Sequence, residues 1–412
     1  MKQRFYSLDV FRGATVAFMI LVNNPGSWSY IYAPLEHAPW NGCTPTDLVF
    51  PFFLFAVGNA LAFVMPRLEA AGQAAVLQKI FRRTLLIFGI GLFLNWFPFI
   101  KWSGEHLIFK NWADPLEPAH PDAEATGIRI LGVLQRIALS YCFASLLIYF
   151  GKIRGAFFTG IIILLGYWLL CLFLGTPGDP YSLDGYFGTH ADKAILGVAH
   201  MYKGEGRAFD PEGLASTLPA IVQVIFGYLV GNYILQKGKT YEMLSGLFAI
   251  GCLLAFTGFC WDMVFPINKK IWSSSFVVYT TGLAILVLCV LIYLIEMRPA
   301  GSDVRSGPAS SGDPAAKLPR WTRFFDVFGK NALFIFAISG ILPRLMALCH
   351  IADGVKPDGS TLYKGLKEYM VDHFFIPVFG PMNGSLLYAI ATILLFWALC
   401  YLLDKKKIYI KV

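Results

Sequence analysis

Apolar runs of about 20 residues recur along the whole chain, and this is the length that a helix needs to cross a bilayer. Inside hydrocarbon the backbone must satisfy its own hydrogen bonds, so such consecutive runs predict helices. Hydrophobic residues make up 56% of the 412 positions and charged residues only 15%. The sequence therefore predicts an all-α polytopic membrane protein that forms a single transmembrane domain over residues 1–412. Ten spans are expected, at residues 5–23, 46–65, 83–100, 130–150, 155–175, 216–235, 243–261, 272–296, 330–349 and 384–403.

Lysine and arginine are concentrated in the short connections between alternate spans and in the C-terminal tail. By the positive-inside rule these connections and both termini are predicted to be cytoplasmic, and the long loops lie on the other side. This distribution accounts for the net charge of +8 without a nucleic-acid partner. The small polar residues at 299–317 predict a flexible cytoplasmic linker. A bacterial inner membrane, contact with membrane lipids and a possible homodimer are the corresponding expectations.

Charged side chains interrupt several of the predicted spans. Asp9 and Arg12 lie three residues apart on one face of the first span, either as an ion pair or reaching separately to the interface. Because these two charges interrupt the first apolar run, a cleavable signal peptide is not expected. Arg136 and Arg344 lie deep in the fourth and ninth spans, where a charge is costly and marks a functional site. The alternative is that they pair with Asp9, Asp47 or Asp262 for packing alone. Because guanidinium groups suit phosphates, the candidate cofactor-binding residues are Arg12, Arg82, Arg83, Arg136 and Arg344.

His37 lies in the first long loop, within the sequence HAPWNGCTPTDLVF. No second ligand stands at metal-binding spacing, so a metal site is not expected. A neutral imidazole beside Trp40 and Asn41 is suited to take a proton from an ammonium or hydroxyl group, and an ordinary loop histidine is the alternative. Thr44 and Asp47 are accounted for as a capping arrangement at the start of the second span.

Two further polar groups suggest where an acceptor would bind. Asn23 ends the first span, where an amide is tolerated only if it faces protein or a wet cavity. Asp210 and Glu212 lie in the loop after the fifth span, where helix capping also explains acidic residues. The candidate substrate-binding residues are Trp40, Asn41, Asp210 and Glu212.

The runs SLDVFRG, VNNPG, HAPWNGCTPTDLVFPFFLFAVG, GVLQRIALSY, FDPEGLAST and INKKIWSSSFVVYTTGL follow one another along the chain. In this order they resemble the heparan-α-glucosaminide N-acetyltransferase family and its bacterial relatives. The resemblance implies that His37 is the catalytic residue and that Asn23 lies in the active site. It also implies transfer of acetyl from cytosolic acetyl-CoA to the amino group of a glucosamine-type sugar across the membrane.

Three classes of function are weighed against these residues. A transmembrane acetyltransferase uses His37, the intramembrane arginines and the long loops together, with acetyl-CoA as co-substrate and an amino sugar as acceptor. An amino-sugar transporter is the alternative, because it also fits many spans and buried charges. A structural or receptor protein gives His37 no role. Within the first class, His37 can act as a general base in a ternary complex, or carry the acetyl group itself.

Overall fold

The computed structural model describes residues 5–113, 127–297, 319–357 and 359–410, so the predicted linker at 299–317 lies outside the described residues. The described residues form thirteen α-helices, several short 3-10 and π-helical segments and two antiparallel hairpins. The helices are α1 (Tyr6–Asn23), α2 (Val49–Ala70), α3 (Gln73–Trp96), α4 (Val133–Leu174), α5 (Phe187–Leu196), α6 (Leu214–Lys237), α7 (Tyr241–Trp261), α8 (Ser274–Ile292), α9 (Arg320–Lys330), α10 (Ala332–Leu348), α11 (Leu366–Met370), α12 (Ile376–Phe379) and α13 (Pro381–Lys405). The strands are β1 (Ile100–Ser103), β2 (His106–Phe109), β3 (Ile351–Val355) and β4 (Thr361–Lys364).

Each of the ten predicted spans overlaps a helix, and the fourth and fifth share the 42-residue helix α4. This helix breaks at Lys152, whose φ of 53° is incompatible with a continuing right-handed helix. The all-helical expectation misses the two hairpins β1–β2 and β3–β4, which lie in the long loops. Gly104, with a φ of +61°, permits the tight β1–β2 turn.

Six helical segments of the described chain are long and apolar enough to cross a membrane, or seven if the bent α9–α10 pair is one span. They are Pro45–Ala70, Val133–Leu174, Leu214–Lys237, Tyr241–Trp261, Ser274–Met297 and Pro381–Lys405. Helices α1 and α3 form as expected but carry charges such as Asp9, Arg12 and Arg82, which reduce their apolar character. Ten crossings and two cytoplasmic termini therefore stay predictions.

Large apolar side chains cover the outer surface of the helical bundle. On α4 they include Phe158, Ile162 and Phe173, and on α7 Leu253 and Phe256, all of them exposed. A water-soluble protein rarely exposes a continuous surface of this kind, whereas lipid chains solvate it without cost. The chain is an integral membrane protein, as its composition predicts.

Helices α2 and α6 approach each other closely at the centre of the bundle. A methyl group at Gly58 would overlap the carbonyl oxygen of Val224, and one at Gly227 would overlap that of Phe55. Small residues that let backbones meet in this way are typical of membrane helix pairs. Because Asp47 precedes α2 and Glu212 precedes α6, this contact fixes two loops of the candidate site relative to each other.

The two ends of the bundle differ in the length of their connections. At one end, here called the loop end, lie the described loop residues 24–48, 97–113, 127–132, 175–213, 262–273, 349–357 and 359–380. Hydrogen bonds join these loops, for example from Gly42 N to Ile267 O at 2.7 Å and from Trp102 Nε1 to Leu348 O at 3.0 Å. At the opposite end the connections at residues 71–72 and 238–240 are short, and pairs such as Lys152 with Glu69 at 3.0 Å lie there.

At this opposite end, α9 and α10 meet at a bend of 83°. Asn331 lies at the bend and is fully buried. Its Oδ1 accepts a hydrogen bond from Ile410 N at 2.8 Å, and its Nδ2 donates to Ile408 O at 3.2 Å. Lys330 pairs with Asp404 at 3.0 Å. The segment after α13 thus supplies the polar partners of the bend.

Candidate functional site

His37 is held at the loop end by a buried carboxylate. Its Nδ1 lies 2.7 Å from Asp47 Oδ1, while the His37 side chain is 41% exposed and that of Asp47 only 1%. Asp47 Oδ2 accepts hydrogen bonds from Ala38 N and Thr44 N, both at 3.0 Å. Asp47 therefore completes the predicted cap and also orients the imidazole. Within the described residues Nε2 has no hydrogen-bond partner, so this nitrogen is available to a substrate.

Lys269 is the third member of this cluster. Its Nζ lies 3.3 Å from Asp47 Oδ1 and 3.0 Å from His37 Nδ1. An unprotonated Nδ1 would direct its lone pair at the carboxylate oxygen 2.7 Å away, so the proton is assigned to Nδ1, which donates to Asp47 Oδ1. Lys269 Nζ then donates to the same oxygen rather than to Nδ1. Removal from water lowers the pKa of Lys269, against the opposing effect of the Asp47 charge. The arrangement leaves a lone pair on Nε2 directed away from the cluster.

The loop that contains Lys269 also positions the residues around His37. Asn268 Nδ2 donates to Asn41 Oδ1 at 3.1 Å, which leaves the Asn41 amino group available as a donor. Lys270 Nζ donates to Pro39 O at 2.7 Å and to Glu205 at 2.6 Å. The run INKK thus attaches the His37 loop to the loops that precede α8 and α6. Trp40 is fixed by its bond to Tyr181 O at 2.9 Å and by its contact with Phe209 at 5.5 Å.

Asp210 and Glu212 form a cluster with Arg129. The guanidinium contacts Asp210 Oδ2 at 3.1 Å and Oδ1 at 2.5 Å, and it also bonds Glu212. The two carboxylates raise the pKa of Arg129 even though burial opposes this. Burial alone would raise the pKa of Glu212, but Arg129 and then Arg136 hold it below its ordinary value. Glu212 therefore stays ionised, and Arg129 takes up much of the capacity of both carboxylates to accept hydrogen bonds.

Beside this cluster a cavity of about 370 Å³ opens between α1, α3, α4 and α10. Its polar lining includes Asn23, Gln135, Arg129 and Arg344. Within the described residues no hydrogen bond joins Asn23 to His37, and His37 is not among the residues that line this cavity. Arg344 bonds Gly340 O at 2.6 Å on its own helix. None of the three aspartates considered as partners pairs with it in the described part of the chain.

The five candidate cofactor-binding arginines do not lie together. Arg12 pairs with Asp9 at 2.8 Å, which selects the ion pair over separate contacts with the interface. Arg83 covers the ring of Tyr141 at 4.7 Å, and Arg82 is exposed. Arg12 lies in the first half of α1, and Arg82 and Arg83 lie about half-way along α3. Arg136, at the loop end, is only 1% exposed and is enclosed by Trp272, Gly213 and Ser216.

Three residues of the site are missed by sequence reasoning alone. Asp47 is assigned only its capping role, because a cap explains an acid at that position without reference to His37. Lys269 is visible in INKK but lies 232 positions from His37, and Arg129 lies 81 positions from Asp210, so no local spacing reveals either contact. Among the described residues no group of three His, Cys, Asp or Glu side chains is placed to hold a metal ion.

Comparison with known proteins gives a family for this arrangement. The sequence profile of the family described as "Heparan-alpha-glucosaminide N-acetyltransferase, catalytic" matches residues 4–259. The human heparan-alpha-glucosaminide N-acetyltransferase is 28% identical over 351 residues, which cover 72% of this chain and 49% of the human protein. The mouse protein is 27% identical over 351 residues, covering 72% and 50%. The chain therefore spans about half the length of these curated relatives. With more than half of its residues in the matched region, the chain belongs to the heparan-alpha-glucosaminide N-acetyltransferase catalytic family.

Proposed function

We propose that the protein is a transmembrane acetyltransferase that moves acetyl from acetyl-CoA to the amino group of a glucosamine-type sugar. The observation that carries this proposal is the 2.7 Å contact between His37 Nδ1 and the buried Asp47, which leaves Nε2 free at the surface of the loop end. The family supports a transferase rather than an amino-sugar transporter.

The chemistry available to this histidine follows from its tautomer. As a general base, Nε2 takes a proton from the sugar amine while the amine nitrogen attacks the thioester carbon of acetyl-CoA. The new C–N bond forms, the C–S bond breaks, and the thiolate of CoA leaves and is protonated. In the other route Nε2 attacks first and carries the acetyl group until the amine displaces it. Asn41 is suited to donate to the developing oxyanion, since Asn268 occupies only its oxygen.

A direct test uses the purified full chain in proteoliposomes with acetyl-CoA labelled in the acetyl group and a panel of glucosamine acceptors. Acetylated sugar is the expected product. Accumulation of unmodified labelled sugar inside vesicles, without need for acetyl-CoA, would support the transporter instead. Retention of label on the protein when no acceptor is present would identify the acetyl-histidine route.

The donor is proposed to place its phosphates toward Arg82 and Arg83, about half-way along α3. Arg83 Nε is buried and has no hydrogen-bond partner within the described residues, and Arg82 is exposed. The double change Arg82→Ala, Arg83→Ala is expected to weaken CoA binding about 10-fold at low salt, from two lost charge-assisted contacts. The matched control is Arg67→Ala, Lys79→Ala, which removes the same charge from exposed positions nearer the connection between α2 and α3. Equal affinities for the two double variants would remove Arg82 and Arg83 from the donor site.

The orientation of the bundle is tested by labelling introduced cysteines with a membrane-impermeant maleimide. Ser29→Cys at the loop end is expected to react from outside the cytoplasm, and Gln73→Cys only from the cytoplasm. Cys43 is a poor reporter, because burial raises the pKa of its thiol to about 12. The reverse pattern would overturn both the orientation and the route of acetyl. The background for these variants replaces the exposed native cysteines Cys252, Cys260 and Cys349 by serine.

A further inference from the structure

A second cavity, of about 450 Å³, opens at the loop end between the two hairpins. It is bounded by the β1–β2 turn, the end of α10, the β3–β4 hairpin and α11. The hairpin β3–β4 and α11 lie outside the matched family region of residues 4–259. Pro343 lines this cavity and also the arginine-lined cavity beside Asn23. The two cavities are therefore neighbours on either side of one residue of α10.

Aromatic rings form one wall of this second cavity. The ring centroids of Trp102 and His350 lie 4.0 Å apart, and those of His350 and Tyr363 lie 3.7 Å apart. Trp102 is fixed in place because its Nε1 donates to Leu348 O at 3.0 Å. A row of rings fixed by hydrogen bonding offers apolar faces to a ligand without a large loss of conformational freedom.

Charged groups of both signs form the rest of the lining. Glu105 and Glu368 contribute carboxylates, and Lys356, Lys364 and Lys367 contribute ammonium groups. That of Lys364 is paired with Asp353 and Asp372, both at 2.7 Å. Tyr363 Oη donates to Glu105 Oε1 at 3.3 Å, which leaves further acceptor capacity on that carboxylate. Because Asp353 and Asp372 already balance the charge of Lys364, the two lining carboxylates would still oppose a strongly anionic ligand. A purely apolar ligand would desolvate charges of both signs without replacing their hydrogen bonds.

We propose that this cavity binds an uncharged saccharide unit of an extended acceptor. Hydroxyl groups both donate and accept hydrogen bonds, so they match a lining that holds carboxylates and ammonium groups side by side. The C–H faces of a pyranose ring match the aromatic wall formed by Trp102 and its neighbours. Since Pro343 separates this cavity from the one beside Asn23, one oligosaccharide reaches both. The inference rests on the proposed function, which supplies the acetylated end of the oligosaccharide.

Binding is measured first without any reaction. The probe is fully N-acetylated chitotetraose, which is neutral and has no free amine, titrated by calorimetry into the full chain in detergent micelles. We expect Trp102→Ala to weaken its binding about 10-fold. Trp112→Ala is the matched control, because it is a half-exposed tryptophan of the same loop that contacts Trp96 and His200 instead. Glu105→Gln with Lys356→Met tests the polar wall with a second variant that leaves the Trp102 packing intact.

Turnover gives an independent readout. The ratio of kcat/KM for a glucosamine-terminated, otherwise N-acetylated trisaccharide to that for glucosamine is expected to fall about 10-fold in Trp102→Ala and to stay unchanged in Trp112→Ala. An absence of chitotetraose binding to the wild type, or equal effects of Trp102→Ala and Trp112→Ala, would overturn the inference. If no amino sugar is acetylated at all, the proposed function fails while the calorimetric comparison still decides whether the cavity binds a saccharide.

Discussion

Replacing His37 by alanine is expected to lower the rate of acetyl transfer about 100-fold or more, which is the scale for loss of a general base. The fold should survive, because Asp47 keeps its hydrogen bonds from Ala38 N and Thr44 N and its contact with Lys269. The measurement is turnover of labelled acetyl-CoA with a glucosamine acceptor, normalised to the amount of folded protein from size-exclusion chromatography.

His190→Ala is the matched control for this change. His190 is an exposed histidine of α5 at the same end of the bundle. It should retain wild-type turnover, whereas added imidazole should restore part of the activity of His37→Ala. Turnover of His37→Ala close to that of His190→Ala would show that His37 has no catalytic part.

Replacing Asp47 by asparagine is expected to lower turnover by about 100-fold or more although His37 is still present. An amide that donates to Nδ1 shifts the imidazole proton to Nε2, and the lone pair needed for base or nucleophile chemistry is lost. The amide oxygen still accepts a backbone hydrogen bond, so the cap is weakened rather than removed. Turnover and thermal unfolding are measured on the same preparation to separate the two effects.

Glu36→Gln makes the same change of a carboxylate to an amide in the same loop, at an exposed position. It should leave turnover unchanged. The double variant His37→Ala, Asp47→Asn should be no slower than His37→Ala alone, because residues that act as a unit are not additive. Multiplied losses in the double variant, or an active Asp47→Asn, would contradict a joint role for the pair.

Much of the fold follows from the sequence because the bilayer permits few alternatives. A run of about 20 apolar residues becomes a helix wherever it lies, so all ten predicted spans fall on helices. The break of α4 at Lys152 and the hairpins β1–β2 and β3–β4 depend on local backbone conformation and on contacts between loops, which hydropathy does not encode.

The candidate site divides in the same way. His37 and its loop are recognisable because HAPWNG is a compact block of unusual residues. The partners of His37 are less visible, since Asp47 has a sufficient explanation as a cap and Lys269 comes from a distant loop. Arg136 stays a prediction as a ligand-binding residue: Trp272 and Ser216 enclose it, and within the described residues its Nε and Nη1 have no hydrogen-bond partner.

The bend between α9 and α10 has a consequence for handling the protein. Ile408 and Ile410 supply the backbone partners of the buried Asn331, so the residues after α13 hold the start of α10 in place. Helix α10 continues from there to Arg344 and Pro343, which line the two cavities at the far end. Deleting residues 406–410 is expected to leave the buried Asn331 amide without these two partners and so to destabilise the position of α10. An affinity tag joined after these residues therefore needs a spacer long enough to leave the hydrogen bonds of Asn331 with Ile408 and Ile410 intact.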